Sequence, residues 1–166
     1  MRKATKFFHT LGSIAMMGAL LAIWLTWKAV PDKSDAVLLS QYYLQAELVS
    51  RWMLLPGMIT MIVSGLISMI VGPGFYNAGW AWAKMAMGLS VFEGTLLTLQ
   101  GPAQQAGDLA RAFLMDPETA DALRGVGGPN EMAAMIIFGV CAVATGFGIW
   151  RPRFGPPPKP SASGTS

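Results

Sequence analysis

Residues Phe7–Trp27 read FFHTLGSIAMMGALLAIWLTW, 21 positions without one Asp, Glu, Lys or Arg. Wound as a helix rising 1.5 Å per residue, a run of that length crosses a hydrocarbon core of roughly 30 Å. Arg2, Lys3 and Lys6 precede it, and Trp24, Trp27 and Lys28 close it, the arrangement of a span anchored at both interfaces. A cleaved signal peptide is the competing reading, but its apolar core usually runs about 7–15 residues and ends at a small-residue cleavage site rather than at tryptophans. Gly12, Ala15, Gly18 and Ala19 give the run small side chains that let a second helix approach closely.

Composition points to the same solvent. Of 166 residues, 53% are hydrophobic and 13% charged, against about 25% charged in an ordinary soluble domain. Mean hydropathy is +0.46. A single small domain cannot hide that much apolar surface from water, so a lipid bilayer is the expected partner. The pI near 9.2 comes from twelve Lys and Arg scattered beside apolar runs. That scatter suits positive-inside topology and anionic lipid and argues for no nucleic-acid partner. The single cysteine, Cys141, excludes an intrachain disulfide and a Cys-based metal site, and its apolar neighbours make it a small packing residue.

Three further apolar runs follow. Pro31 ends the first helix and Asp32–Asp35 form a polar turn. Ala36–Arg51 mixes Leu38, Leu39, Tyr42, Tyr43, Leu48 and Val49 with polar residues and reads as an interfacial helix leading into a second span, Trp52–Val71. Pro56 falls in the first turns of that span, where a lost amide donor costs least. Thr60, Ser64 and Ser68 recur every fourth residue as a polar stripe, with Gly65 beside them. Gly72-Pro73-Gly74 breaks the chain, so the third span, Trp80–Leu99, is expected to be an antiparallel neighbour of the second. It carries Lys84 and Glu93, and a charge at a span's centre costs about 2.5–3.5 kcal/mol on insertion scales. Lys84 is one turn from the end and can snorkel. Glu93 is deeper, needs a partner from another helix or water, and is expected to be a buried polar group; its bland reading is a hydrogen bond to Ser or Thr of a facing helix. Nine residues at about 100° each put the two on opposite helix faces.

Gln100–Pro129 is the largest polar segment, expected as an extramembrane loop with short helices over about 103–115 and 117–124, the second capped by Asp116 with Pro117 at its first position. Asn130 caps a fourth span, Glu131–Trp150, and Glu131 suits its first turn. Arg151 and Arg153 stop it, and residues 155–166, GPPPKPSASGTS, form a disordered tail. The expected fold is all-α: residues 1–154 make four transmembrane helices, about 7–27, 52–71, 80–99 and 131–150, in an antiparallel bundle. Four spans put both termini on one side, with Arg2, Lys3, Lys6, Arg151, Arg153 and Lys159. Lys28, Lys33, Arg51, Arg111 and Arg124 fall on the other side, so the positive-inside rule places the termini in the cytoplasm of a bacterial inner membrane.

Candidate chemistry centres on His9, the one histidine, two residues inside the first span. Its bland reading is a boundary histidine bonded to a neighbour or a headgroup; its functional reading is an axial metal ligand. A single histidine excludes bis-histidine haem within one chain and leaves Lys, Met, water or nothing opposite it. Twelve methionines supply that option, although most are adaptable packing. Zinc fails on donor count, and no phosphate loop, nucleophile triad or dinucleotide fingerprint occurs. Copper handling would need methionines converging near His9.

Four of these stretches, in order, resemble the HemJ-type membrane protoporphyrinogen oxidases. KFFHTLG is similar to that family's K-x-L-H opening, and RWMLLPGMITMIVSGL resembles its second helix. WAWAKMAMG resembles its third-helix W-x-x-x-K, and PNEMAAMIIFGV its last-helix Asn-Glu start. The pattern shades into CopD-like copper-resistance proteins and other four-helix integral membrane proteins. The resemblance implies a b-type haem on His9 and an essential lysine at Lys84, either as a catalytic residue or as the partner of a haem propionate, with Arg51 a weaker candidate. The family's Asn-Glu pair maps to Asn130 and Glu131. It implies oxidation of protoporphyrinogen IX with electrons passed to a respiratory acceptor, and a homo-oligomer is open. The family's Pro-Arg and Tyr-His segment after the first helix is missing here, and Glu93 and residues 100–129 depart from its pattern. A non-enzymatic accessory subunit on the same scaffold, without haem, is the contrasting expectation.

Overall fold

Every regular element is a helix, and no strand occurs among the described residues. The computed structural model describes residues 2–30, 34–71, 79–127 and 130–150; the breaker at Gly72-Pro73-Gly74, residues 31–33, Gly128, Pro129, Arg151, Arg153 and the 155–166 tail lie outside them. The helices are α1 (Arg2–Lys28), α2 (Ala36–Val49), α3 (Leu55–Val71), α4 (Gly79–Thr95), α5 (Gly101–Met115), α6 (Ala120–Gly125) and α7 (Glu131–Trp150).

Two boundaries differ from the sequence reading. The chain neither restarts at Trp52 nor loops out at Gln100. Instead α2 runs into α3 through one π-helical turn, Ser50–Leu54, and α4 runs into α5 through another, Leu96–Gln100. The cause is proline placed in mid-helix. Pro56 and Pro102 each follow a π turn, and a proline lacks the N–H and crowds the carbonyl four residues back. Widening the preceding turn, so that Leu55 N–H reaches the Ser50 carbonyl and Gly101 N–H the Leu96 carbonyl, accommodates the ring without ending the helix. The Thr98 carbonyl, four residues before Pro102, takes the Asn130 backbone N–H at 3.4 Å instead. The Asn130 side chain then caps α7, accepting from Met132 N at 3.0 Å and Ala133 N at 3.2 Å.

Helices α1, α3, α4 and α7 form a bundle in the spatial order α3, α1, α7, α4. Its neighbours are antiparallel. His9 near the start of α1 meets Met61 and Ser64 of α3, Lys28 at the end of α1 pairs with Glu131 at the start of α7, and Asn130 meets the end of α4. The closest approach is α1 on α3: a Cβ at Gly12 would lie 2.8 Å from both the Gly57 carbonyl oxygen and the Met61 nitrogen. Met16, Leu20, Ile23, Leu54, Met58 and Leu99 fill the bundle core.

A second core, with Leu39, Tyr43, Phe113 and Leu123, is built by α2, α5 and α6 at one end of the bundle. Asp35 caps α2 by accepting from Leu38 N at 3.0 Å, and Asp116 caps the turn before α6 by accepting from Glu118 N at 3.0 Å. Tyr43 stacks on Trp27 with centroids 5.4 Å apart and donates to the Val126 carbonyl at 3.2 Å, tying this layer to the end of α1. Burial pushes the Tyr43 hydroxyl above its ordinary titration range.

The outside of the bundle is apolar. Phe7 is 62%, Ile14 64%, Ile70 69% and Met132 71% exposed. Lys3–Lys28 and Ala36–Val71 are long and apolar enough to cross a membrane, while the apolar stretch of α7, Glu131–Gly146, is shorter. By length and composition the described helices therefore single out two spans of the expected four.

Candidate functional site

His9 is held by the backbone of the neighbouring helix. Its Nδ1 lies 2.9 Å from the Met61 carbonyl oxygen, and a carbonyl only accepts, so Nδ1 carries the hydrogen. Ser64 Oγ stands 3.3 Å from the same nitrogen, and its own hydrogen goes to the Thr60 carbonyl at 2.6 Å, leaving a lone pair toward the ring. The stripe Thr60, Ser64, Ser68 exists because residues four apart share one helix face, and that face is turned to α1. In the neutral ring the remaining nitrogen, Nε2, keeps its lone pair, and it has no partner among the described residues. An imidazole that donates through one nitrogen to a carbonyl and offers the other as a base is the arrangement protein metal ligands use.

Lys84, on α4, is half-buried, and its ammonium acts electrostatically on the His9 ring. Among the described residues no hydrogen bond joins Lys84 to His9, which is held by α3. An apolar groove of about 420 Å³ between α1 and α3 is lined by Ala4, Phe8, Ile59, Val63, Ser64 and Ile67; neither His9 nor Lys84 lines it. Ser64 touches both the groove and the histidine.

The other sequence candidates lie elsewhere. Asn130 and Glu131 sit at the opposite end of the bundle with Lys28, about 28 Å along α1 from His9. Arg51 is exposed in the first π turn, ten residues before Met61, or about 15 Å along the helix, so it does not share the His9 pocket. Pro56 shapes the π turn. Cys141 is a free, half-buried thiol on α7. Glu93, expected among buried groups, is exposed on the outer face of α4 and meets no Ser or Thr of a facing helix among the described residues. The reason is rotational: with Lys84 turned inward, a residue nine positions on faces out. No three of His, Cys, Asp and Glu gather as a metal site among the described residues.

One polar centre was invisible in the sequence. Glu47, 6% exposed, receives both arms of Arg111, at 2.5 and 3.0 Å, and Arg111 also reaches Asp108 at 2.6 Å. The bonds to Glu47 first and Asp108 second push the guanidinium still further above its ordinary range. Gly107 makes the room, since a Cβ there would fall 2.7 Å from the Glu47 carboxyl carbon. One turn on, the Ser50 hydroxyl is fully buried and has no partner among the described residues. Arg111→Ala would strand the Glu47 carboxylate. Breaking a buried pair costs about 3–5 kcal/mol, and the 44% exposure of the Arg111 side chain lets water soften that to about 2 kcal/mol. The expected drop in thermal midpoint is several degrees, measured in detergent, and Glu47→Leu combined with Arg111→Leu should recover part of it.

Comparison with models of known families, with curated proteins and with solved structures finds no significant match.

Proposed function

We propose that the chain is a multi-pass membrane protein whose four bundle helices all lie in the bilayer, with the α2, α5 and α6 layer outside it. We further propose that it binds one b-type haem through His9 Nε2 and acts as a HemJ-like oxidoreductase on protoporphyrinogen IX in a bacterial inner membrane. The observation that carries this reading is the clamp on His9: Nδ1 is committed to the Met61 carbonyl and Nε2 has no partner among the described residues. The apolar exterior supports the membrane part, because side chains such as Ile14 and Ile70 are solvated by lipid rather than water.

His9 is the residue that would hold a haem, through Nε2. His9 offers one oriented nitrogen, and half-buried Lys84 on α4 would be the cation to pair with a propionate. A bound haem supplies a one-electron acceptor through its iron. The protein's own part is to fix the imidazole tautomer, to set a positive charge where a propionate can sit and to keep water away from the ring. A respiratory carrier in the same membrane would take the electrons onward.

The test is the colour of the purified protein. Material from haem-replete cells should show a Soret band and a reduced-minus-oxidised α band. A folded but colourless preparation contradicts the haem reading and leaves His9 as a packing residue that ties α1 to α3. The reaction itself is tested by rescue of a strain lacking protoporphyrinogen oxidase; failure despite good expression would count for the non-enzymatic alternative.

A further inference from the structure

Glu93 lies on the outer face of α4, half a turn before the helix gives way to the second π turn. It is exposed and has no hydrogen-bond or ion-pair partner among the described residues. Trp82, Leu89 and Leu97, exposed by 47%, 62% and 70%, share that face with the exposed Ala86 and Ser90. Depth makes the carboxyl informative. Thr98 is level with the start of α7, because its carbonyl receives the Asn130 N–H. Glu93 is five residues further in, about 7 Å below that level. On the membrane reading, on which this inference rests, the side chain is too short to leave the hydrocarbon, and a lone carboxyl facing lipid is strongly disfavoured. Ser90 is open as well: its hydroxyl bonds nothing among the described residues, whereas Ser64, Ser68, Thr95 and Thr98 each donate back to a helix carbonyl.

We infer that this face of α4 is covered by the same face of a second copy of the chain, with Ser90 of each copy donating to Glu93 of the other. Copies inserted in one orientation are related by a twofold axis along the membrane normal, so a patch on the axis meets itself at equal depth. Ser90 and Glu93 are three residues apart, one turn of one helix face, so the reciprocal bond needs only the small vertical offset that a Glu side chain spans. Ala86 and Ser90 are small enough for the two helices to approach, and Leu89 and Leu97 pack at the sides. Carboxyl acceptor and hydroxyl donor thus complement each other within one self-matching patch.

The experiment is oxidative disulfide cross-linking in native membranes, with Cys141 replaced by Ala. Leu89→Cys is expected to give a covalent dimer, and Ile136→Cys on the outer face of α7 is expected to give none. Adding Glu93→Leu to Leu89→Cys should cut the dimer at least tenfold, while Glu93→Gln, which still accepts the Ser90 bond, should retain it. No dimer from Leu89→Cys, an equal yield with Glu93→Leu, or cross-linking to a different protein would overturn the proposal. A water-soluble maleimide applied to the same Leu89→Cys membranes separates the two possible failures. If the thiol is shielded but no dimer forms, the dimer alone is wrong; if it reacts freely in intact membranes, the membrane reading fails and the dimer with it.

Discussion

His9→Ala is expected to purify as folded, colourless protein, with the Soret band of the wild type lost completely. The substitution removes the one imidazole in the chain and therefore the one nitrogen that the proposed haem can use. Its structural cost is small. A single side-chain bond to the Met61 carbonyl disappears, worth about 1 kcal/mol, which does not unfold a bundle whose core lies deeper, at Met16, Leu20 and Ile23. The neighbours should behave differently. Ser64→Ala deletes a hydroxyl 3.3 Å from Nδ1 but leaves the 2.9 Å bond to Met61, so it should keep haem. Lys84→Gln should also keep the band but release haem several-fold faster, because it loses only the charge beside a propionate. Absorption spectroscopy with a size-exclusion check on folding reads all three. An unchanged Soret band in His9→Ala would mean that haem, if bound, is held elsewhere.

Gly12→Leu should have the largest effect on folding. A Cβ at position 12 would lie 2.8 Å from two backbone atoms of α3, the Gly57 oxygen and the Met61 nitrogen. Backbone cannot swing aside as a side chain does, so α1 must move off α3, and the cost exceeds the roughly 1–3 kcal/mol typical of overpacking. Gly57 is locked from the other side in the same way, with a Cβ 3.0 Å from the Met16 nitrogen. Gly18→Leu is the matched control on the same helix, since a Cβ there meets nothing closer than the Met53 methyl at 4.0 Å. Gly12→Leu should give little monodisperse protein and no haem, because the Met61 carbonyl leaves His9 as the helices part. Gly18→Leu should match the wild type in yield and thermal midpoint.

These contrasts show what could be read along the chain. Helix order alone allowed His9 and Lys84 to face one pocket, since the starts of the first and third bundle helices lie at the same end. Helix periodicity also sets Lys84 and Glu93 on opposite faces, so only one of the two can turn inward, and depth along the helix does not say which. The polar stripe Thr60, Ser64, Ser68 was legible, but its pairing with His9 was not, because the ring's partner is a main-chain carbonyl 52 positions away. Glu47 and Arg111 are 64 positions apart, and neither helix pattern marks them as a pair. Pro56 falls inside a continuous helix rather than in the first turns of one, because a π turn absorbs its ring, and Pro102 is accommodated in the same way. Gly12 is legible as a small residue, whereas its contact with Gly57 depends on which face of α3 turns toward α1.

The claim beneath both the haem and the dimer proposals is that the bundle is embedded with four crossings, and labelling of single cysteines tests it most directly. In a Cys141→Ala background, Lys6→Cys, Ser34→Cys, Glu118→Cys and Ser161→Cys are probed with an impermeant maleimide in right-side-out and inverted inner-membrane vesicles. Positions 6 and 161 should react only in inverted vesicles, and positions 34 and 118 only in right-side-out ones. Reaction of positions 6 and 161 on opposite sides, or of all four on one side, would contradict four crossings.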